Sequence, residues 1–507
     1  MDTTATPKLP IDVLLEMRPA LSGNAGIPQE NRLLFRGLTG LAGVRVTGLL
    51  QKSERVLARG LPMRRAGSSR SLSTDQQLNR LGQVVITLEQ GAWSYYVQAV
   101  AHTIAMALWH MLGGWQRLTR FDASHFRDFI WRRLFGRTLP PDDFALVTDA
   151  SFCVARIPWI AMHTCALVMR RVGYALYPRL DTSEFDVMIT ETPYPATVSR
   201  TTRLVVRYHD AIPLLMPHTI SDRRFHQASH YRALRKNVRS GAWFVCVSDA
   251  TRKDLLSIFP EVQERCVTIH NVVSHHYYDE DSRAERAAEI VRTRLNSSSE
   301  LWSSPGDATR ALREVGTESE PFDYLLIVAT VEPRKNHLTL LSAWERLRRE
   351  GYPGLKLLMV GGLGWHHDDI VRKFRPWTER GDAFFLEDVS PAELRLLYKH
   401  ARATICPSFG EGFGLPGVEA MASGGVVVAS NIAAHREIYG DAAQYFSPYS
   451  ADELSAAIKE VVEPSCTDRR ESLMTKGKVR ARLYSPEAIL PQWESFLSAR
   501  IRQPSVA

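Results

Sequence analysis

Little in this chain would support a metal-built or disulfide-built protein. Its 507 residues include only six cysteines, Cys153, Cys165, Cys246, Cys266, Cys406 and Cys466, with no close pair among them. That leaves no C-x-x-C or Cys/His cluster for zinc and no disulfide framework. No signal-peptide core follows Met1, so a reducing cytoplasmic setting is the expectation. Long hydrophobic runs are scarce as well. The most apolar stretch, residues 92–112, is broken by Ser94, Gln98, His102 and His110. It reads as a buried or interfacial helix rather than a membrane span. Internal repeats and low-complexity tracts are lacking, which excludes solenoids and arrays. What remains is ordinary globular material, 45% hydrophobic and 23% charged, long enough for two or three domains.

Positive charge is concentrated. Residues 52–137 hold 13 lysines and arginines against five acids, an excess equal to the +8 of the whole chain. The same stretch carries Trp93, Tyr95, Tyr96, Trp109, Trp115, Phe126, Phe129, Trp131 and Phe135. Arginines interleaved with aromatics suit an anionic membrane surface. A helix packed on an N-terminal sheet, with a solvated basic face, fits the pattern equally. No nucleic-acid partner is expected.

Short apolar, β-branched runs mark strands covered on both faces. In the first half they fall at residues 11–15, 186–190, 203–209, 242–248 and 266–270. In the second they fall at 324–329, 355–360, 383–386, 403–406 and 426–429. Between the two series the chain turns polar. The expected organisation is a Rossmann-like domain over 1–280 with an insertion at about 53–180, and a linker at 281–320. A second Rossmann-like domain follows over 321–485, then a C-terminal helix over 486–507 crossing back to the first. Such halves leave a cleft at the carboxyl ends of both sheets.

The richest segment is PSFGEGFGLPGVEAMASGG, residues 407–425. It places Glu411 and Glu419 eight positions apart across a turn that runs into a helix. Gly410, Gly412 and Gly414 permit close approach of backbone to a ligand, and Pro416 suits the first helical turn. Upstream, TVEPRKN sets Arg334 and Lys335 side by side after a strand, where two cations can meet phosphate oxygens. In RYHDAIP, His209 and Asp210 stand at a strand's carboxyl end. In VCVSDATRKDL, Ser248 reads as a helix N-cap with Arg252 in the first turns. Gly23 and Gly26 sit in a loop between the first strand and its helix.

Taken together, these segments resemble the retaining GT-B glycosyltransferases that carry an E-x7-E signature, a family with many bacterial mannosyl- and glucosyltransferases. The resemblance is good over residues 186–275 and 321–463, weak over 9–40, and absent over 53–180 and 280–320. The chain departs from the family's pattern at Val272 and Gly425, positions where glycine and proline are common. The resemblance implies an α/β GT-B fold, two Rossmann-like domains facing a central cleft, with an N-terminal helical insertion. It implies that His209 and Glu411 contact the donor sugar and that Glu419 accepts ribose hydroxyls. Arg334, Lys335 and the backbone at Gly414 and Leu415 would hold the departing diphosphate. Gly26, Asn336, Gly412 and Phe413 complete the expected donor site, with Asp210, Ser248 and Arg252 as acceptor or phosphate contacts.

The implied activity is transfer of a hexose, mannose from GDP-mannose as first choice and a UDP-linked sugar as second. The acceptor would be a lipid-linked or free saccharide in surface-polysaccharide or lipopolysaccharide synthesis, met at the inner face of the cell membrane. No cofactor is expected beyond the nucleotide sugar. No metal is expected either, because no D-x-D-like pair sits in a suitable loop and Arg/Lys can serve the diphosphate. The competing readings are a GT-B-fold epimerase or hydrolase and a non-catalytic sugar-nucleotide-binding protein.

Overall fold

The computed structural model describes residues 10–21, 23, 26–63, 72–90, 95–168, 176–220, 223–297 and 323–501. In chain order the strands are β1 (Ile11–Glu16), β2 (Val44–Leu50), β3 (Gln116–Arg117), β4 (Thr119–Phe121), β5 (Ser151–Val154), β6 (Leu180–Asp181), β7 (Val187–Thr190), β8 (Arg203–Tyr208), β9 (Trp243–Cys246) and β10 (Cys266–Thr268). The second half supplies β11 (Tyr324–Val328), β12 (Lys356–Val360), β13 (Ala383–Leu386), β14 (Ala403–Cys406), β15 (Val427–Ser430) and β16 (Ala443–Phe446).

Two large sheets result, ordered β10-β9-β8-β7-β1-β2-β5-β4 and β13-β12-β11-β14-β15-β16, with β3 and β6 forming a separate two-stranded one. Every pairing in them is parallel except β4 with β5. The period-2 alternation of a strand divides each sheet between two cores. Val13 and Leu15 of β1 join one apolar cluster and Leu14 the other. In β11, Tyr324 and Leu326 face one side, Leu325 and Ile327 the opposite side. Each such side chain, fully withdrawn from water, contributes about 1.5–3 kcal/mol. Parallel strands require crossover connections, and all their carboxyl ends then lie on one edge.

Helices relevant to the site are α1 (Ile27–Thr39), α2 (Tyr95–Met111), α3 (Trp159–Val168), α4 (Asp249–Ile258), α5 (Glu285–Ser297), α6 (His337–Arg349), α7 (Leu415–Ala422), α8 (Ala433–Tyr439) and α9 (Pro486–Phe496). Ala287, Ala288 and Val291 of α5 are buried with Tyr324, Leu326 and Leu397. The expected linker therefore begins as a helix of the second core, while residues 298–320 lie outside the described residues. Ile489, Trp493 and Phe496 of α9 pack among Val13, Phe35 and Val205 of the first sheet.

The insertion holds helices and also two strands, β4 and β5, that extend the first sheet beyond β2. Its aromatics split. Phe129 and Phe135 are buried with Phe35 and Phe152, and Phe126 and Trp131 pack against the same cluster. Phe129 and Phe135 therefore serve the core. Arg127 is paired with Asp149. The exposed apolar groups gather instead on α2, where Ile104, Leu108, Met111 and the following Leu112 are all more than half exposed. Thr103, Met106 and Ala107 of the same helix are buried, and α2 packs on α3. Arg64, Arg65, Arg70 and Trp93 fall outside the described residues. Among the described residues, no helix is long and apolar enough to cross a membrane.

Candidate active site

Strand β11 lies beside β14, so the loops leaving their carboxyl ends are neighbours. After β11 a single 3-10 turn, Pro333–Lys335, precedes α6. After β14 runs the glycine-rich loop into α7. Arg334 Nη1 donates to Gly410 O and to Glu411 Oε2, both at 2.9 Å. Lys335 Nζ donates to Glu411 Oε1 at 2.6 Å, and Ser408 Oγ to the same oxygen at 2.7 Å. Burial alone would raise the Glu411 carboxyl, but Lys335 and Arg334 hold it well below the ordinary carboxylate range. A second acid, Glu332, accepts from Arg334 Nε at 3.1 Å and Nη2 at 2.8 Å. Two cations and two carboxylates thus form one nearly dry, internally neutral group. The sequence reading had counted the cations without Glu332. Any incoming phosphate must compete for their N–H groups with carboxylates already in place.

Glu419, on α7, is treated differently. Its Oε1 accepts from Gln29 Nε2 at 2.7 Å and its Oε2 from the Tyr398 hydroxyl at 3.0 Å. Among the described residues no cation touches it. Burial pushes its carboxyl up to about 7, against the hydrogen bonds of Gln29, Tyr398 and Tyr277. Gln29 belongs to α1, so the first half of the chain reaches into the second here.

In the first half, His209 follows β8, and its Nε2 lies 2.9 Å from Glu191 Oε2. The His209 carbonyl accepts from Thr251 Oγ1 at 3.3 Å. A Cβ at Gly412 would stand 1.7 Å from that carbonyl. Only glycine lets the Glu411 loop touch His209, and this contact brings the two expected sugar-contacting residues to one place. Asp210 Oδ1 accepts from Ile212 N at 3.1 Å, and its charge reaches Arg334.

Other expected site residues have different roles. Ser248 caps α4 by accepting from Thr251 N at 3.0 Å and donates to Gly412 O at 2.6 Å. Arg252 Nε donates to Cys266 O at 3.0 Å, and Asn336 Nδ2 to Pro407 O at 3.0 Å and Pro448 O at 2.8 Å. These three side chains hold loops and helices together. Phe413 is buried against Tyr484, centroids 5.2 Å apart, and Leu415 is buried too. Only their backbones are left for a ligand. Gly414 has φ 90° and opens α7. Gly26 has φ 63°, is exposed, and accepts from Glu30 N at 3.0 Å as α1 begins.

Sequence reasoning missed a buried polar group behind His209. Glu191 Oε1 accepts from Asn31 Nδ2 at 2.9 Å. Glu30 Oε1 accepts from Arg207 Nε at 3.0 Å, and Arg207 Nη2 donates to Asn271 Oδ1 at 2.8 Å. Signals existed: Arg207 is a charge inside the buried part of β8, and Glu191 follows β7 as His209 follows β8. Nothing local pairs residues that lie 160 or more positions apart. Ties between the halves include Glu437 of α8, which accepts from Asp249 N and Ala250 N at 2.7 Å each and lies 3.0 Å from His270 Nε2.

Two facing α/β halves, with this constellation where their loops meet, have the architecture of the GT-B fold. Sucrose-phosphate synthase from Thermosynechococcus elongatus has a similar fold, with TM-score 0.53 over 96% of this chain and 98% of that one at 15% identity. Residues 309–480 match the family "Glycosyl transferases group 1". The chain is 29% identical to O-antigen chain mannosyltransferase B of Escherichia coli over 292 residues, 57% of this chain and 68% of that protein. It is 38% identical over 136 residues to the serotype-specific mannosyltransferase WbdA of Escherichia coli. That match covers 27% of this chain and 17% of the relative's length.

Proposed function

We propose that this protein is a retaining, metal-independent hexosyltransferase that moves mannose from GDP-mannose onto a lipid-linked saccharide of a growing surface polysaccharide. The observation that carries the reading is the Arg334–Lys335–Glu411 group, which the Gly412 contact brings against the His209 backbone. Relatives named as O-antigen mannosyltransferases favour mannose, and a UDP-linked hexose is the second choice of donor.

In this reading Arg334 and Lys335 turn from Glu411 toward the diphosphate as negative charge grows on it. Electrostatic stabilisation of a leaving group is typically the largest catalytic contribution. Glu411 and His209 orient the sugar, and the ribose hydroxyls replace Gln29 at Glu419. The bond from sugar C1 to the diphosphate oxygen breaks. The acceptor hydroxyl oxygen bonds to C1 on the same face, and its proton leaves on the diphosphate.

The exposed stripe Ile104, Leu108, Met111 and Leu112 on α2, within the basic 52–137 segment, is the surface we assign to an anionic bilayer. The acceptor would be met there.

Radiolabelled GDP-mannose and UDP-hexoses, with and without isolated lipid-linked acceptor, test the reading. Acceptor-dependent nucleotide release with sugar in the lipid fraction supports it. Turnover without acceptor indicates hydrolysis or epimerisation, and binding without turnover a sugar-nucleotide-binding protein. Either result overturns it.

A further inference from the structure

The polar group behind His209 has a charge imbalance that the proposed function leaves unexplained. Three carboxylates, Glu16, Glu30 and Glu191, meet two guanidiniums. Arg18 Nε donates to Glu16 Oε1 at 2.7 Å, and Arg207 Nε donates to Glu30 Oε1. All three acids are buried, and the side chains of Glu16 and Glu191 are fully withdrawn from water. With every acid ionised and the imidazole neutral, the group would hold one uncompensated negative charge, which a dry interior strongly disfavours.

The hydrogen bonds locate the missing positive charge. Both Glu191 oxygens have partners, Asn31 Nδ2 and His209 Nε2, and Glu191 N donates to Glu16 Oε2 at 3.2 Å. Glu30 Oε2 is buried with no hydrogen-bond partner among the described residues. Ligating atoms of Glu30, Glu191 and His209 lie within 4.8 Å of one another. The Glu30 and Glu191 side chains are hydrogen-bond neighbours, so a proton on Glu30 makes it a donor toward Glu191. It also brings the group to neutrality, since Arg207 already stands against Glu30 as its cation.

We propose that Glu30 and Glu191 share one proton behind His209, and that Glu191 is a positioning residue that keeps the imidazole neutral with its hydrogen on Nε2. Nδ1 is then the ring's acceptor. The idea rests on the reading of His209 as a neighbour of the donor sugar. There a neutral ring tolerates positive charge growing at the reacting carbon, whereas an imidazolium would oppose it. Burial agrees in direction: it drives His209 down to about 4, with the charge of Glu30 working the other way. It also drives Glu30 and Glu191 up to about 7 each. Such a pair titrates as a unit rather than as two separate acids. The charged and titratable groups facing it are Glu16 and Arg18 from β1 and its following loop, Arg207 from β8, and Asp210 beyond His209.

The test is the ¹⁵N imidazole spectrum of the full-length, unliganded protein from pH 6 to 8.5, with His209→Gln assigning the signal. The wild-type ring should be neutral with hydrogen on Nε2 throughout, and its shift should bend once as the shared proton leaves. Glu30→Gln keeps an acceptor for Arg207 and should abolish the bend while preserving the tautomer. Glu191→Gln should lose the tautomer preference and lower kcat at least tenfold, with donor KM little changed; Glu191→Asp should restore part of both. If Glu191→Gln fails to fold, Glu30→Gln carries the test.

A wild-type ring protonated on Nδ1 overturns the proposal, as does an imidazolium at neutral pH or superimposable wild-type and Glu30→Gln titrations. An unchanged kcat in folded Glu191→Gln overturns the positioning role. The spectra need no substrate, so they fail or succeed separately from the transfer reading.

Discussion

Glu411 and Glu419 stand eight positions apart, one on a loop and one on the helix that loop feeds, both nearly out of water. Glu411 meets a lysine and an arginine and stays ionised far into acid. Glu419 meets an amide and a phenol and is pushed up to about 7. Burial acts alike on both, so the partner decides the outcome: a cation overturns the desolvation cost, and a neutral donor only reduces it. The two corners suit two ends of one ligand. The charged corner has N–H groups to exchange with phosphate oxygens. The uncharged corner offers a carboxylate to hydroxyl hydrogens where Gln29 now sits.

The strongest way to break this contrast is Lys335→Ala. Loss of a donor aimed at developing charge should cost about 10²–10³-fold in turnover, with the circular dichroism and melting curve of a folded protein. Near-normal turnover would remove the charged corner from the phosphate end. Glu419→Ala should act on binding instead, weakening the nucleotide by about tenfold to a hundredfold in calorimetry, as expected for charge-assisted hydrogen bonds. Unchanged affinity would leave the ribose role without support.

The same contrast has a signature in unliganded stability. Glu419 keeps its proton when folded up to about 7 and loses it from 4.5 when unfolded. Between those values the folded state binds more protons, so this group lowers stability as pH rises. Glu419→Gln should therefore raise stability by about 1–3 kcal/mol at pH 8 and have little effect below pH 4.5, as measured by urea unfolding at both pH values. An equal effect at both would contradict the assignment.

A smaller effect is expected from a third region, distant in sequence from both corners. Leu108→Glu with Leu112→Glu should abolish flotation with anionic vesicles and leave donor binding intact. Raising salt should weaken that flotation only in part, because each nearby Lys or Arg contributes about 1 kcal/mol and apolar burial is not screened. The smallest expected effect is none: excess chelator should leave turnover unchanged. Loss restored by magnesium or manganese would show that the cations do not suffice for the diphosphate.

The second half was the more legible in sequence. Its strands are unbroken apolar runs between clear turns, and its key groups lie in two contiguous segments, 330–336 and 407–419. Only β16 went unseen there, since AQYF is half-exposed and lacks an apolar run. In the first half β2 was missed although it is seven residues long, because Arg45, Thr47 and Gly48 break its apolar run, and β4 and β5 because they are only three and four residues long and take their identity from the sheet edge they join. Phe129 and Phe135 fitted a surface and a core equally because composition does not say which face a ring takes; Phe35 and Phe152 decide it. Gln29, Glu30, Glu191 and Arg207 carried no motif, and the order β8-β7-β1 brings them together. Ser248 was legible as a helix cap, while the loop-tying bonds of Arg252 and Asn336 were not, because a residue that ties two loops and one that meets a substrate look the same in a string.

The claim that Glu419 reads the ribose while the charged corner reads the phosphates is tested most directly by a binding cycle. GDP and its 2′,3′-dideoxy analogue, with the UDP pair in parallel, are titrated into wild type and Glu419→Ala. The account predicts that removing the hydroxyls weakens binding to wild type by about tenfold or more and has almost no effect on the variant, a coupling of roughly 1.4 kcal/mol or more. Equal losses in the two proteins would contradict it.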